Sequence, residues 1–161
     1  MSDYGRQITF FGKSLLQLSA QTNKQGLPTL TLELTTSEAG WDQKLVYQIE
    51  PVFELLDIAH FLCQKRIDQV HLELKPKLET PKVLTFKYNQ ADRDSKGNID
   101  GTLFVGIYDN KKGSKYSKVL GIKQMFVLRS MVLSRVASLY ECNISDVLKM
   151  MALDSYLNSS S

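Results

Sequence analysis

The chain has 161 residues, enough for one domain or two small fused units. Apolar residues make up 43% of it and charged residues 23%, so it can fill a core and carry an ordinary soluble surface. The net charge of +3 admits a polyanionic partner without requiring one, and excludes the heavily basic make-up of a histone or a basic tail.

The opening residues, "MSDYGRQITFF", offer neither a basic leader nor a long apolar run, so no signal peptide is expected. "QITFFGKSLLQLSAQ" (7–21) reads as strands. In "LPTLTLELTT" (27–36), Leu30, Leu32 and Leu34 alternate with Thr31, Glu33 and Thr35, the period of a half-buried strand. "QKLVYQI" (43–49) is another strand. "EPVFELLDIAHFLCQKR" (50–66) changes to helical spacing, with Val52, Leu55, Leu56, Ala59 and Leu62 on one face. Pro51 suits the first turn of that helix, where its missing N–H is not needed.

The same order then recurs. "QVHLELK" (69–75), "KVLTFKY" (82–88), "GTLFVGIY" (101–108) and "SKVLGI" (117–122) read as strands, and "KQMFVLRSMVLSRVASLYE" (123–141) as a helix. A constant shift of 73 sets Thr29 on Thr102, Leu30 on Leu103, Leu32 on Val105, Leu34 on Ile107, Val46 on Val119, Ile49 on Ile122, Phe53 on Phe126 and Leu55 on Leu128. One shift serving both strand and helix argues for a duplicated unit. The expectation is an α+β fold in a single domain: two ββββα-type repeats at about 7–66 and 69–141, their antiparallel sheets packed together with helices at one end. A C-terminal helix over 144–157 follows. Asn143 is its expected N-cap, Asp146 favours its first turn, and Ile144, Val147, Leu148 and Met151 form its stripe.

No stretch reaches the roughly 18 apolar residues that span a bilayer, so no membrane association is expected. Cys63 and Cys142, with His60 and His71, show no metal-ligand spacing, so no metal is expected. The cysteines fall in or near apolar segments and read as reduced residues of a cytoplasmic protein; both histidines read as structural. "DRDSKGNIDG" (92–101) approaches a calcium loop, but Lys96 occupies a ligand position, Leu103 replaces the closing glutamate, and strands flank it; a polar hairpin loop accounts for it better. No catalytic set and no phosphate-binding glycine loop occur, so neither an enzyme nor a cofactor is expected.

Four segments together resemble the Whirly single-stranded DNA-binding proteins, relatives of the positive-cofactor-four coactivator fold. "FGKSLLQL" (11–18) is similar to the family's Lys-Gly-Lys-Ala-Ala-Leu strand: Gly12, Lys13 and Leu16 match, while Phe11 replaces the first lysine and Ser14 and Leu15 replace the alanines. "GLPTLTLELTTSEAGWDQKLVYQIEPVFELLDI" (26–58), marked by Trp41 and Lys44, is similar to the glycine-led strand, turn and first helix. "GTLFVGIYDNKKGSKYSKVLGI" and "KQMFVLRSMVLSRVASLY" resemble the late hairpin and the long second helix. The resemblance covers most of residues 7–141 and implies a Whirly-like fold, single-stranded DNA as partner, and a homo-oligomer, with a tetramer favoured.

Such binding needs flat rings for bases and cations for phosphates. By strand alternation Phe11 and Lys13 share a face, as do Phe86 and Tyr88 with Lys87 opposite, and Phe104 with Tyr108. Core packing is the competing reading for Phe86 and Phe104. Lys13, Lys44, Lys87, Lys111, Lys112, Lys115 and Lys118 must reach the surface or a groove. "YDNKKGSKYSK" (108–118) turns at Asp109–Asn110 and Gly113; from 109 onward it carries four lysines against one aspartate, with Tyr116 among them. It reads either as a solvated tip or as a phosphate-tracking loop. The expected function is sequence-independent binding of single-stranded DNA in replication, recombination or DNA transfer. RNA binding on the same fold and a protein-assembly module are the alternatives.

Overall fold

Leu30, Leu32 and Leu34 lie fully buried along one side of a strand in the computed structural model of the chain, which describes residues 6–65, 67–75, 81–89 and 101–159, with side chains up to Leu153. The elements run β1 (Gln7–Phe10), β2 (Ser14–Thr22), β3 (Pro28–Thr36), a 3-10 turn (Trp41–Gln43), β4 (Leu45–Gln48) and α1 (Phe53–Leu62). Then come β5 (His71–Leu74), β6 (Lys82–Tyr88), β7 (Leu103–Asp109), β8 (Ser114–Leu120), α2 (Ile122–Leu139) and α3 (Ile144–Ser159). The strands form two four-stranded antiparallel sheets in sequential order, β1-β2-β3-β4 and β5-β6-β7-β8. The chain is α+β, as its patterning predicts.

Register shows which residues line the apolar side of each sheet. Leu18 stands opposite Ile8 and Leu32, and Leu32 opposite Tyr47. In the second sheet Phe86 stands opposite Leu72 and Val105. These rows face inward and fuse into one apolar core. β8 touches β2, β3 and β4, so the last strand of the second sheet runs across the first. α1 packs beneath the second sheet, with the Phe61 ring 4.8 Å from that of Tyr88 and 6.3 Å from that of Phe86. α2 lies against β2 and β3 and between the other two helices. No described helix is long and apolar enough to cross a membrane.

The positions that a shift of 73 pairs behave alike in most cases. Leu55 and Leu128 are both buried, and Phe53 and Phe126 are both exposed. Ile49 and Ile122 differ, the first buried and the second exposed.

Three cations tie elements together through backbone carbonyls. Lys82 Nζ donates to Val46 O at 2.8 Å. Lys118 Nζ donates to Ser14 O at 2.8 Å and Phe11 O at 3.2 Å. Arg135, buried on α2, donates from Nε to Thr29 O at 2.9 Å and from Nη2 to Gln21 O at 2.7 Å. A buried or half-buried cation needs such acceptors to offset lost hydration.

Helix starts follow their side chains. The Glu50 carboxylate accepts the N–H groups of Val52, Phe53 and Glu54 at 2.9, 2.6 and 3.2 Å, so α1 starts at Phe53 and Pro51 lies in the turn before it, not in its first turn. Asn143 Oδ1 accepts the Asp146 N–H at 2.9 Å, and Asp146 Oδ2 accepts that of Asn143 at 3.3 Å, the expected cap of α3. Other boundaries shift too. The segment read as 7–21 breaks at 11–13 between β1 and β2, and β8 begins at Ser114 rather than 117. Asp92 to Asp100, the calcium-like stretch, lies outside the described residues.

Candidate nucleic-acid interface

β7 sends Leu103, Val105 and Ile107 into the core, which leaves Phe104, Gly106 and Tyr108 on the outer side of the second sheet. Across the ladder, Phe104 stands between Lys87 of β6 and Val119 of β8, and Tyr108 between Val83 and Lys115. His71 of β5 extends the Phe104 row beyond Lys87. This face is open to solvent: Lys87, Lys115 and His71 are exposed, Val119 is exposed, and Tyr108 is 40% exposed. The Phe104 ring folds back over Gly106, where a Cβ would come within 3.0 Å of it. Glycine at 106 therefore lets an aromatic ring lie along the sheet. A side chain there would push the ring aside.

The hairpin beyond this face is built by Asp109. Its carboxylate is buried and accepts the N–H groups of Lys111 and Lys112, each at 3.0 Å, while its carbonyl accepts that of Gly113 at 2.8 Å. The one acid among the four lysines is thus turned inward. The tip is short. It holds Lys111 and Lys112, both exposed, whereas Lys115, Tyr116 and Lys118 belong to β8. Among the described residues no ion pair involves Lys13, Lys87, Lys111, Lys112 or Lys115.

The other candidates divide. Phe11 and Lys13 sit exposed at the turn between β1 and β2, beside β8 through the Lys118 contact. Trp41, partly exposed, lies in the 3-10 turn after β3, and Lys44 reaches the outer side of the first sheet. There Lys44 pairs with Glu33 at 3.0 Å, Gln17 Nε2 donates to Glu33 at 2.9 Å, and Thr9 Oγ1 donates to Gln17 at 3.2 Å. That ladder neutralises the lysine and makes the first sheet polar where the second is aromatic.

Four expectations are corrected. Phe86 is 0% exposed and Tyr88 3%, because their side of β6 is the core side; they do share a face, but it is packed on Phe61. Tyr88 Oη donates to Phe61 O at 3.0 Å, and burial pushes its phenol up to about 12, partly opposed by Arg129. Tyr116 lies on the inner side of β8, opposite Ile107, and packs against the core. The Lys118 ammonium is occupied by carbonyls, and burial lowers its pKa. Both histidines are exposed. Sequence reasoning missed Gly106, Val119 and His71 on the outer face; the period-two pattern around Phe104 was the signal that contained them. Among the described residues no group of histidine, cysteine or acidic side chains is arranged to hold a metal.

No family model matches the sequence, and no curated protein matches it. Solved structures do. The chain superposes on the crystal structure of WHY1 from Arabidopsis thaliana with a TM-score of 0.54 at 15% identity, covering 83% of this chain and 88% of that one. It matches the Trypanosoma brucei MRP1/MRP2 structure with a TM-score of 0.53 at 10% identity, covering 82% and 83%. The plant transcriptional regulator PBF-2 gives 0.52 at 15%, covering 94% and 86%. The chain carries the Whirly-like fold. The Whirly-like likeness runs through both sheets and the helices. At 10–15% identity it concerns the backbone, and the side chains that distinguish this chain have to be read from its own surface.

Proposed function

We propose that the chain binds single-stranded nucleic acid, DNA by preference, largely without regard to sequence. It does so as one domain of two ββββα units. The observation that carries this reading is the uncovered outer face of the second sheet, where Phe104 lies over Gly106 in a row with Lys87 and near Tyr108 and Lys115. An unpaired base exposes a π-face that an aromatic ring can stack on, worth roughly 1–3 kcal/mol per base whatever the base. Lys87, Lys115, Lys111 and Lys112, which form no ion pair among the described residues, supply cations for the backbone that links those bases. Duplex DNA hides its base faces, so this chemistry favours single strands. That one structure of the same fold is a plant transcriptional regulator supports the reading.

The test is fluorescence anisotropy with a labelled oligothymidine, an RNA and a duplex of equal length over a salt series. The single strand binds tightest. Phe104→Ala weakens it by about 1–3 kcal/mol at every salt concentration. Replacing Lys87, Lys111, Lys112 and Lys115 by alanine flattens the log K against log salt slope by about 0.7 for each phosphate no longer neutralised. Equal binding of duplex and single strand, or an unchanged slope, overturns the proposal; tighter RNA binding moves it to the alternative partner.

We also read the exposed Phe53, Ile122 and Phe126 as an assembly surface, with a homotetramer as the expected state. Light scattering on the purified chain measures the mass directly, and a monomer at micromolar concentration removes this part.

A further inference from the structure

The β1–β2 turn is held far more firmly than the exposure of its side chains suggests. Phe11 O and Ser14 O accept from the Lys118 ammonium, which crosses from the second sheet, and Lys13 O accepts the Ser37 N–H at 2.9 Å. Gly12 sits between them at φ 145, and a Cβ there would stand 3.2 Å from the ammonium. That backbone conformation and that clearance both call for glycine. The turn is thus pinned at three carbonyls by two other parts of the chain. Yet the Phe11 ring it carries is 75% exposed, and Lys13 beside it is exposed. An exposed phenylalanine gains nothing for folding. Rigid anchoring of its backbone gains a binder something specific: an aromatic plane ordered before the ligand arrives costs less entropy on binding.

We propose that Phe11 is a stacking residue for the bound strand, and that Lys118 is a positioning residue acting through the turn rather than a phosphate contact. This rests on the reading of the chain as a single-strand binder and extends its surface past the β8 edge to the first sheet. Lys118 does its work with its ammonium turned toward the protein. Its stem rises from the inner side of β8, opposite Val105, so the charge is delivered to the neighbouring sheet and not to the outer face. A lysine already bonded to two carbonyls releases no counterion from a nucleic acid. Removing it therefore changes affinity without changing how affinity depends on salt.

The experiment is a double-mutant cycle on oligothymidine binding, with Phe11→Ala, Lys118→Met and the pair, each across a salt series and each checked for its melting temperature. Phe11→Ala is a surface change that leaves folding intact, and it weakens binding roughly five-fold to a hundred-fold with an unchanged salt slope. Lys118→Met weakens binding to a similar degree in the native background and by less than about two-fold once Phe11 is alanine. Gly12→Ala displaces the same turn by other means and serves where Lys118→Met lowers the melting temperature. A 2-aminopurine in the oligonucleotide changes its emission on binding to the native chain and changes it less with Phe11→Ala. A weakening with Lys118→Met that persists in the Phe11→Ala background, together with a slope reduced by about 0.7, makes Lys118 a phosphate contact and overturns its positioning role. Native affinity with Phe11→Ala, when Phe104→Ala still weakens binding, overturns the stacking role and leaves the proposed function standing. No binding by the native chain overturns both.

Discussion

Phe86 and Tyr88 flank Lys87, and that one-residue offset separates core from surface. The rings face Phe61 and the lysine faces solvent, because successive side chains on a strand point to opposite sides. On β7 the same rule brings Phe104 and Tyr108 outward, with Gly106 between them making space for the Phe104 ring. The alternation was legible from the residues; which side faced water was not, since both sides of β6 and β7 carry large apolar groups. At Glu141 the backbone itself decides the outcome. It has φ 52 just after α2, where the Cys142 N–H reaches back to Ala137 O at 3.0 Å. A residue with a Cβ is strained in this left-handed conformation, which glycine adopts freely. Glu141→Gly is expected to stabilise the fold by about 1 kcal/mol, read as a higher urea midpoint and a melting temperature raised by roughly 3 °C.

At the scale of elements, the β7–β8 hairpin shows one buried acid organising an otherwise cationic tip. Asp109→Ala leaves the Lys111 and Lys112 amides without their carboxylate acceptor and costs about 1–2 kcal/mol. Hydrogen exchange is expected to quicken at those two amides first, and binding to an oligothymidine to weaken as the tip lysines lose their alignment. The Asp109–Asn110 turn was readable because its residue types favour that geometry. The start of β8 was not: Ser114, Lys115 and Tyr116 lack an alternating apolar pattern, and as part of an edge strand they need none. α1 gave a similar lesson. Its apolar spacing announced a helix, but its first residue was set by the Glu50 carboxylate gathering three backbone N–H groups, an interaction that spacing does not encode.

For the whole molecule, packing the two sheets together creates contacts that no single element contains. The Tyr88 phenol is buried under α1 with a pKa pushed up to about 12, and burial together with the Glu54 carboxylate also raises Tyr47. An unfolded tyrosine ionises near pH 10. Between about pH 10 and 12 the unfolded chain has therefore lost protons that the folded chain keeps. Stability is complete below pH 10 and falls as pH rises through that window. Urea midpoints taken at increasing pH are expected to be level to about pH 10 and then drop, with a shallower drop in Tyr88→Phe. The sequence by itself determined the α+β class, the order of strands and helices, and the chemical types available on each strand, because period and turn residues are local properties. Only the tertiary structure decided which rings stay exposed, that Lys118 turns its charge to the β1–β2 turn, and that Phe104 and Tyr108 lie on the outer face of the second sheet. Those outcomes depend on how two sheets meet, and burial is settled by neighbours distant in the chain.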